Sequence, residues 1–173
     1  MGKLRRKNIG VEDLKNDIAN ALFQLLEKEE YSKITVEKLV KEADVSRSTY
    51  FRHFESKEEV IQFKIQSLWQ EYVDKHQIYV NTLSIYDWVK CFFDFNLEIK
   101  DYVQQIYQIH KEACILNTLK EVISPIVEKE QRFTPFEMEF FCNGVVGLLE
   151  YWIKQDCKQT PEELIQFLHG EFF

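Results

Sequence analysis

Residues Thr35 to Val60, with the sequence TVEKLVKEADVSRSTYFRHFESKEEV, decide the fold of this chain. Apolar residues recur at helical spacing in two short segments of this stretch, and a tight connection joins the segments. The first segment supplies a face for burial, which consists of Leu39, Val40, Ala43 and Val45. The second carries side chains that can bond to phosphates or base edges, namely Arg47, Ser48, Thr49, Arg52 and His53. The stretch therefore predicts a helix-turn-helix that binds duplex DNA.

The same stretch resembles the DNA-binding domain of the TetR family of transcriptional regulators. The family pattern is T-x-x-x-[LI]-[AV]-x-x-A-x-V-S-x-x-T-[FLY]-[FY]-x-[HY]-F-x-[ST]-K-[ED]-x-[LV]. It is occupied here by Thr35, Leu39, Val40, Ala43, Val45, Ser46, Thr49, Tyr50, Phe51, His53, Phe54, Ser56, Lys57, Glu58 and Val60. The remainder of the chain resembles the family only in length and in a general helical pattern.

Composition and the resemblance together predict an all-α fold. The five Gly and three Pro provide few helix breakers. The resemblance implies about nine helices, with a three-helix helix-turn-helix DNA-binding domain over residues 1–55 and a helical domain for effector binding and dimerisation over residues 56–173. No apolar run is long enough to cross a membrane, and no apolar signal core follows the basic N-terminus, so we expect a cytoplasmic protein.

Charge is distributed unevenly along the chain. Residues 1–60 contain equal numbers of basic and acidic residues, so the formal net charge of −7 comes from residues 61–173. Acidic residues there would repel DNA from the wrong face of the molecule. The basic residues Lys3, Arg5 and Arg6 could enter a minor groove as a flexible arm, and a solvated tail is an equal alternative.

The second helix of the motif carries the candidate DNA contacts. Tyr50 and Phe54 are four residues apart and should face the core, which turns Arg47 outward. Arg47 lies near the helix N-terminus, which enters the major groove first, and its guanidinium suits the O6/N7 edge of guanine. The expected DNA-binding residues are Thr35, Ser46, Arg47, Ser48, Thr49, Phe51, Arg52, His53 and Lys57. Among them, Thr35, Ser46, His53 and Lys57 are expected to bind phosphates.

Two positions depart from the usual family pattern. Family members commonly have a Tyr at the position of Phe51, whose hydroxyl can reach a phosphate, whereas this chain has the order Tyr50-Phe51. We expect Phe51 to press on a thymine methyl group or a sugar edge instead. Family members often have Gly at the position of Asp44. If that turn requires a positive φ, Asp tolerates it better than most residues, at some cost.

A single recognition helix spans too few base pairs for useful specificity. We therefore expect a two-fold dimer that places two such helices about 34 Å apart or somewhat more. Strong helix starts at Thr134-Pro135 and Thr160-Pro161 predict the two C-terminal helices that would pair, as in similar regulators. The expected interface residues are Phe141, Gly144, Leu148, Trp152, Leu164 and Leu168. Packing within a single chain is the alternative.

Aromatic residues in the middle of the chain could line a pocket for an apolar or planar small molecule. The expected lining residues are Trp69, Tyr72, Trp88, Phe92, Tyr107 and His110, and an ordinary core is the alternative. His110 and Glu112 are too few to predict a metal site, and the four cysteines lack paired spacing, so we expect no metal and no other cofactor. Buried thiols are expected for the cysteines, with an exposed redox-sensing thiol as the alternative.

No catalytic motif is recognisable, so an enzyme is not expected. The leading hypothesis is a homodimeric repressor that binds a near-palindromic DNA operator and is released or modulated by a small-molecule effector. The resemblance implies that such a ligand shifts the fourth helix and changes the separation of the DNA-binding heads. The alternative is a co-activator or adaptor whose C-terminal domain binds a partner protein. Operator, effector and direction of regulation stay open at this level.

Overall fold

The computed structural model describes residues 10–130 and 134–172, and within these ranges the chain forms nine α-helices and no β-strand. The all-α prediction is confirmed. The helices are α1 (Val11–Leu26), α2 (Val36–Glu42), α3 (Arg47–His53), α4 (Lys57–His76), α5 (Ile85–Glu98), α6 (Lys100–Gln108), α7 (Glu112–Glu130), α8 (Pro135–Lys154) and α9 (Pro161–Phe172). Short 3-10 helices precede α2 and α5, at Tyr31–Lys33 and Val80–Thr82. The expected minor-groove arm lies outside the described residues.

Two compact units make up the chain, and the division between Ser67 and Leu68 falls inside α4. The predicted boundary of the DNA-binding domain lies earlier, between residues 55 and 56, just before α4 begins. That boundary stays a prediction, because compactness does not show where DNA binding ends and another function begins.

The core of the first unit lies among α1, α2, α3 and the first half of α4. Ile18 and Leu22, one turn apart on α1, are fully buried, as the amphipathic pattern of that helix requires. Leu39 of α2, Tyr50 of α3 and Ile61 of α4 are inaccessible to solvent as well. Burial of one large apolar side chain contributes about 1.5–3 kcal/mol. This small core therefore fixes α3 against its neighbours.

The turn between α2 and α3 uses a residue in the left-handed conformation. Asp44 has a φ of 53°, a region that a β-carbon disfavours. The amide of Val45 donates to the carbonyl of Val40 at 3.0 Å, which is the bond found where a left-handed residue, usually Gly, ends a helix. The turn therefore does require a positive φ at Asp44. This explains why Gly often occupies this position in the family that the sequence resembles.

Hydroxyl side chains cap several helices, including the two whose starts the sequence predicts at Thr134 and Thr160. The capping residues of α2, α3, α5, α8 and α9 are Thr35, Ser46, Ser84, Thr134 and Thr160. Ser56 likewise accepts from the amide of Glu59 at 3.1 Å before α4. The carboxylate of Glu59 in turn accepts from the amide of Glu55 at 2.8 Å. Each cap satisfies amides that a helix start leaves without an internal acceptor.

In the second unit, α5 packs on α9, and α8 packs on α6 and α7. The largest inaccessible side chains are Trp88 and Phe93 on α5, Ile106 on α6, Ile123 on α7, and Leu149 and Trp152 on α8. An ion pair at 2.7 Å joins Lys90 of α5 to Glu162 of α9. Because the inaccessible side chains come from four successive helices, α5 to α8, the second unit has a core of its own.

The cysteines are mostly interior. Cys91, Cys114 and Cys142 are buried and Cys157 is partly buried. Burial raises the pKa of Cys91 and of Cys142 to about 11, which keeps both thiols protonated near neutral pH. These two thiols therefore behave as small apolar core groups.

Within residues 10–130 and 134–172, no helix combines the length and apolar character that crossing a membrane requires. The same described residues contain no group of three His, Cys, Asp or Glu side chains close enough to hold a metal ion.

Candidate nucleic-acid interface

α3 presents one face to the core and the opposite face to solvent. Tyr50 and Phe54, one turn apart, are buried, and the ring of Phe54 lies 5.7 Å from that of Phe63 on α4. The exposed side chains of α3 are Arg47, Ser48, Phe51 and Arg52. His53, at the end of the helix, is partly exposed. The buried and exposed sets are separated as the helical periodicity predicts.

Ser46 organises the N-terminus of α3. Its Oγ accepts from the amide of Thr49 at 3.0 Å and lies 2.8 Å from the hydroxyl oxygens of both Ser48 and Thr49. A hydroxyl can donate and accept at once, so these three side chains form a polar cluster beside the outward face. Thr35 caps α2 in the same manner, accepting from the amide of Lys38 at 3.3 Å. Both caps use hydroxyls that could also donate to a phosphate.

The guanidinium of Arg47 has a partner on two sides. Its Nη1 donates to Oε1 of Glu37 at 2.6 Å, and its central carbon lies 5.4 Å from the ring centroid of Phe51. Glu37 belongs to the first turn of α2, where its own backbone amide and then Arg47 lower the pKa of its carboxyl group. Arg47 is therefore oriented across the turn of the motif by an acid on the other helix.

The order Tyr50-Phe51 puts a polar atom inside and an apolar ring outside. The hydroxyl of Tyr50 is buried and has no hydrogen-bond partner among the residues that the structure describes. Burial, followed by the charges of Glu59 and Glu58, raises the pKa of Tyr50 to about 12. The ring of Phe51, half exposed, meets that of Tyr50 edge-on at 5.2 Å. Phe51 is thus available to an apolar edge of DNA but has no hydroxyl for a phosphate.

Lys57, which was expected only to bind a phosphate, has a structural role. Its ammonium donates to the carbonyls of Tyr31 and Ile34 at 2.8 and 2.7 Å, and it lies 3.9 Å from the centroid of the Tyr31 ring. These bonds tie the start of α4 to the segment between α1 and α2. A phosphate contact by Lys57 stays a prediction, and it would have to share the ammonium with these carbonyls.

Two regions of the sequence match known protein families. Residues 18–62 match the family described as bacterial regulatory proteins, tetR family, and residues 84–170 match the one described as transcriptional regulator C-terminal region. The second match alone spans half of the chain. The chain belongs to the TetR family. This confirms the resemblance that rests on Thr35–Val60. Among curated proteins, none matches this chain in sequence.

Solved structures share the fold at low sequence identity. Lin0861 from Listeria innocua matches with a TM-score of 0.74 and 17% identity, over 96% of this chain and 93% of its own. The dihydroxyacetone kinase operon activator DhaS matches with a TM-score of 0.55 and 16% identity, over 91% and 92%. The fatty acid degradation regulator FadR from Bacillus halodurans matches with 0.53 and 20%, over 90% and 95%. The similarity to these proteins is one of fold.

Four of the six expected pocket residues of this TetR-family protein lie together. The ring centroids of Trp69 and Tyr72 are 5.9 Å apart, Trp88 lies 6.3 Å from Trp69, and Phe92 stacks on Trp88 at 5.8 Å. Trp88 is buried, and its Nε1 has no hydrogen-bond acceptor in the described part of the chain. The cluster is therefore aromatic, closely packed and supplied with one unused donor.

The other two expected pocket residues are placed differently. Tyr107 points toward α8, where its hydroxyl donates to the carbonyl of Val146 at 3.4 Å. His110 is exposed in the turn after α6, with a φ of 56°. The expectation that His110 lines an interior pocket is not supported by this exposed position, because a side chain there meets solvent.

Two of the expected dimer residues lie in the interior of a single chain. Trp152 is completely buried, its Nε1 donates to the carbonyl of Gln159 at 2.9 Å, and its ring meets Phe93 at 5.6 Å. Leu164 of α9 is buried as well. For these two the alternative, packing within one chain, describes the structure better. Phe141, Leu148 and Leu168 are partly exposed and Gly144 is exposed, so these four can meet a partner.

α8 also exposes three large apolar side chains that are not among the expected interface residues. Phe136, Phe140 and Tyr151 are 80%, 68% and 60% exposed. Together with Gly144 and Gly147 they are spaced by four, four, three and four residues, which places all five within a sector of about 80°. A β-carbon at either glycine would meet nothing within 4 Å. We call these five residues the α8 stripe, and the buried Cys142, Val145, Leu149 and Trp152 lie on the opposite side of the helix.

Proposed function

We propose that this TetR-family regulator is a homodimeric repressor that binds a near-palindromic operator and is released by a small-molecule effector. The observation that carries the proposal is the exposed face of α3, where donors for base edges stand on a helix fixed by its buried side. Residues 1–55 would bind DNA, and residues 56–173 would bind the effector and form the dimer. A protein that acts on bacterial DNA would work in the cytoplasm.

The DNA contacts follow from the chemistry of α3. Arg47 can donate to O6 and N7 of guanine in the major groove, and Ser48 and Thr49 can bond to neighbouring base edges. Arg52, His53 and the capping hydroxyls of Thr35 and Ser46 can bind phosphates, which fix the register of the protein on the duplex. Phe51 would press on a thymine methyl group. The exposed side chains of α3 are not needed for the core of the first unit, to which α3 contributes its opposite face.

The dimer is supported by the α8 stripe. Exposed large apolar residues in a row are characteristic of protein interfaces, and Gly144 and Gly147 let a second helix approach the backbone closely. A two-fold axis beside α8 would pair the stripe with its own copy, flanked by Phe141, Leu148 and Leu168. Two copies of α3 could then occupy major grooves about one helical turn apart.

The effector proposal is supported by the aromatic cluster of Trp69, Tyr72, Trp88 and Phe92. An unpaired buried donor costs about 1–3 kcal/mol, so an apolar molecule with one acceptor for Nε1 of Trp88 would gain from binding there. Such a ligand would act by preferring one of two separations of the DNA-binding heads. Its identity is not implied by the cluster.

A second candidate function is a co-activator or adaptor that binds a partner protein. The same α8 stripe favours it, because an exposed apolar face can receive a different chain as well as a second copy. DhaS, whose fold is similar, is named an activator. A chain that sediments at its own mass of 20.9 kDa at micromolar concentration would favour the adaptor over the repressor.

Selection from a pool of random duplexes tests the proposed function. The protein should enrich inverted repeats whose half-sites each contain a guanine, with centres about 10 base pairs apart or somewhat more. Sedimentation of the protein should give twice the chain mass. Enrichment of no sequence would refute the DNA-binding role, and enrichment of one isolated half-site would refute the dimeric one.

A further inference from the structure

Arg47 and Glu37 form a pair of zero net charge on the face proposed to meet DNA. Their bond of 2.6 Å joins α2 to α3 across the turn of the motif, and both side chains are about three-fifths exposed. Among the described residues, the same guanidinium also lies 5.4 Å from the exposed ring of Phe51. The cation expected to contact a base is thus already held by an acid before DNA arrives.

The geometry leaves part of the guanidinium available. Glu37 engages Nη1, whereas a guanidinium has five N–H donors arranged along two edges. The edge formed by Nε and Nη2 can still donate two parallel bonds to O6 and N7 of guanine. A neutral base edge can therefore bind Arg47 while Glu37 remains in place.

A DNA phosphate differs from a base edge because it is negatively charged. Attraction between Arg47 and the DNA backbone is offset by repulsion between Glu37 and the same backbone, because both charges stand within one hydrogen bond of each other. A phosphate that replaced Glu37 would exchange one charge-assisted bond for another of the same kind, and it would leave the carboxylate unpaired beside a polyanion. The pair therefore gives little affinity for DNA of arbitrary sequence.

We propose that Glu37 is a specificity-determining residue, which cancels the attraction of Arg47 for phosphates and leaves its donors for guanine. This inference rests on the proposed DNA-binding function. It adds a negatively charged residue of α2, which makes no base contact of its own, to the groups that set the ratio of specific to nonspecific binding.

The experiment compares Glu37→Gln with Glu42→Gln. Both substitutions remove one carboxylate from α2, so the change in net charge is the same. Glu42 is a matched control because it also pairs with a cation, Lys28, at 3.3 Å. The probes are a duplex that the parent protein selects from a random pool and a scrambled duplex of equal length and composition. Binding is measured by fluorescence anisotropy over a range of salt concentrations.

Glu37→Gln should raise affinity for the scrambled duplex by about threefold to tenfold and for the selected duplex by less than about twofold. On the scrambled duplex, the slope of log affinity against log salt should steepen by about the amount that corresponds to one additional phosphate contact. Glu42→Gln should leave the ratio of the two affinities at the parent value. In an Arg47→Ala background, Glu37→Gln should no longer lower that ratio.

Several outcomes would overturn the inference. A parent protein that prefers its selected duplex, together with a Glu37→Gln variant of unchanged ratio, would refute the role of Glu37 and leave the proposed function standing. Equal effects of Glu37→Gln and Glu42→Gln would refute it as well, since the effect would then be one of net charge alone. If the parent protein prefers no duplex, the proposed function fails and this inference fails with it.

Discussion

The outward faces of α3 and α8 are both exposed in a single chain, and their chemistry is opposite. α3 exposes two arginines and a cluster of hydroxyls, whereas α8 exposes large apolar side chains and two glycines. Neither face follows from the needs of a core, because each helix has a separate buried side. Charged and polar donors suit a hydrated polyanion, and an apolar stripe suits a dry protein contact. The proposed DNA contact and the proposed dimer contact can therefore be impaired separately.

The largest effect is expected from Phe140→Glu in the α8 stripe. A two-fold interface would bury two new carboxylates against apolar surface, and their desolvation opposes association. We expect the Kd for self-association to rise by at least about 100-fold, on the order of 3 kcal/mol, as measured by sedimentation. Leu97→Glu, at another exposed apolar residue of the second unit, is the matched control and should remain dimeric. A Phe140→Glu protein that dimerises like the parent would show that the stripe has another role.

Arg47→Ala should impair the α3 face while leaving the α8 face intact. Loss of a bidentate contact to guanine should weaken the selected duplex by about 1–3 kcal/mol, with a much smaller effect on a scrambled one. Anisotropy titrations measure both affinities, and sedimentation should still give the parent mass. Arg52→Ala, also on the exposed face of α3, should weaken both duplexes alike. Equal losses for Arg47→Ala on the two duplexes would mean that Arg47 binds phosphate only.

Lys57→Met tests whether Lys57 stabilises the fold that holds α3 or contacts DNA itself. The carbonyls of Tyr31 and Ile34 would lose their charged donor, which should lower the free energy of unfolding by about 1–2 kcal/mol. Urea unfolding measures this change. Lys33→Met, at an exposed lysine paired with Glu30, should be close to neutral. Parent-like stability combined with weaker DNA binding would assign Lys57 to the DNA contact.

Tyr50→Phe is expected to give the smallest effect, on the buried side of α3. Removing an unpaired buried hydroxyl should raise the free energy of unfolding by about 1 kcal/mol at neutral pH. Because folding raises the pKa of Tyr50 from 10 to about 12, ionisation of Tyr50 favours the unfolded chain: stability is unaffected by this group below pH 10 and falls as pH rises from 10 toward 12. Tyr50→Phe should therefore lose less stability between pH 9 and 11 than the exposed control Tyr79→Phe. Identical pH profiles would contradict this.

Helix starts and the inward side of α3 were predictable because their causes are local. A hydroxyl that caps its own helix, as at Thr35, Ser46 or Thr134, bonds to an amide three residues later. Tyr50 and Phe54 could be assigned to the core because α3 has polar residues on its other side. In both cases a few neighbouring residues contain the whole physical reason.

The large exposed residues of α8 could not be predicted, because apolar residues cover most of the circumference of this helix. Periodicity then gives no sign of which apolar side is buried, and Trp152 was as good a candidate for an interface as Phe140. The contacts of Trp152 with Phe93 and Gln159 decide the matter, and they depend on packing among helices distant in sequence. The Glu37–Arg47 pair was missed for a similar reason, since it joins two helices across a turn.

The most direct test is selection from a pool of random duplexes, performed in parallel with the parent protein and with Arg47→Ala. It decides whether the exposed face of α3 reads bases, and whether two copies of α3 do so in a symmetric dimer. We expect the parent to enrich an inverted repeat with a fixed guanine in each half-site, and Arg47→Ala to enrich the same repeat with that guanine position relaxed in both halves. Enrichment of identical sequences by the two proteins would contradict this role for Arg47, and a sequence without two-fold symmetry, selected by the parent, would contradict the symmetric pair.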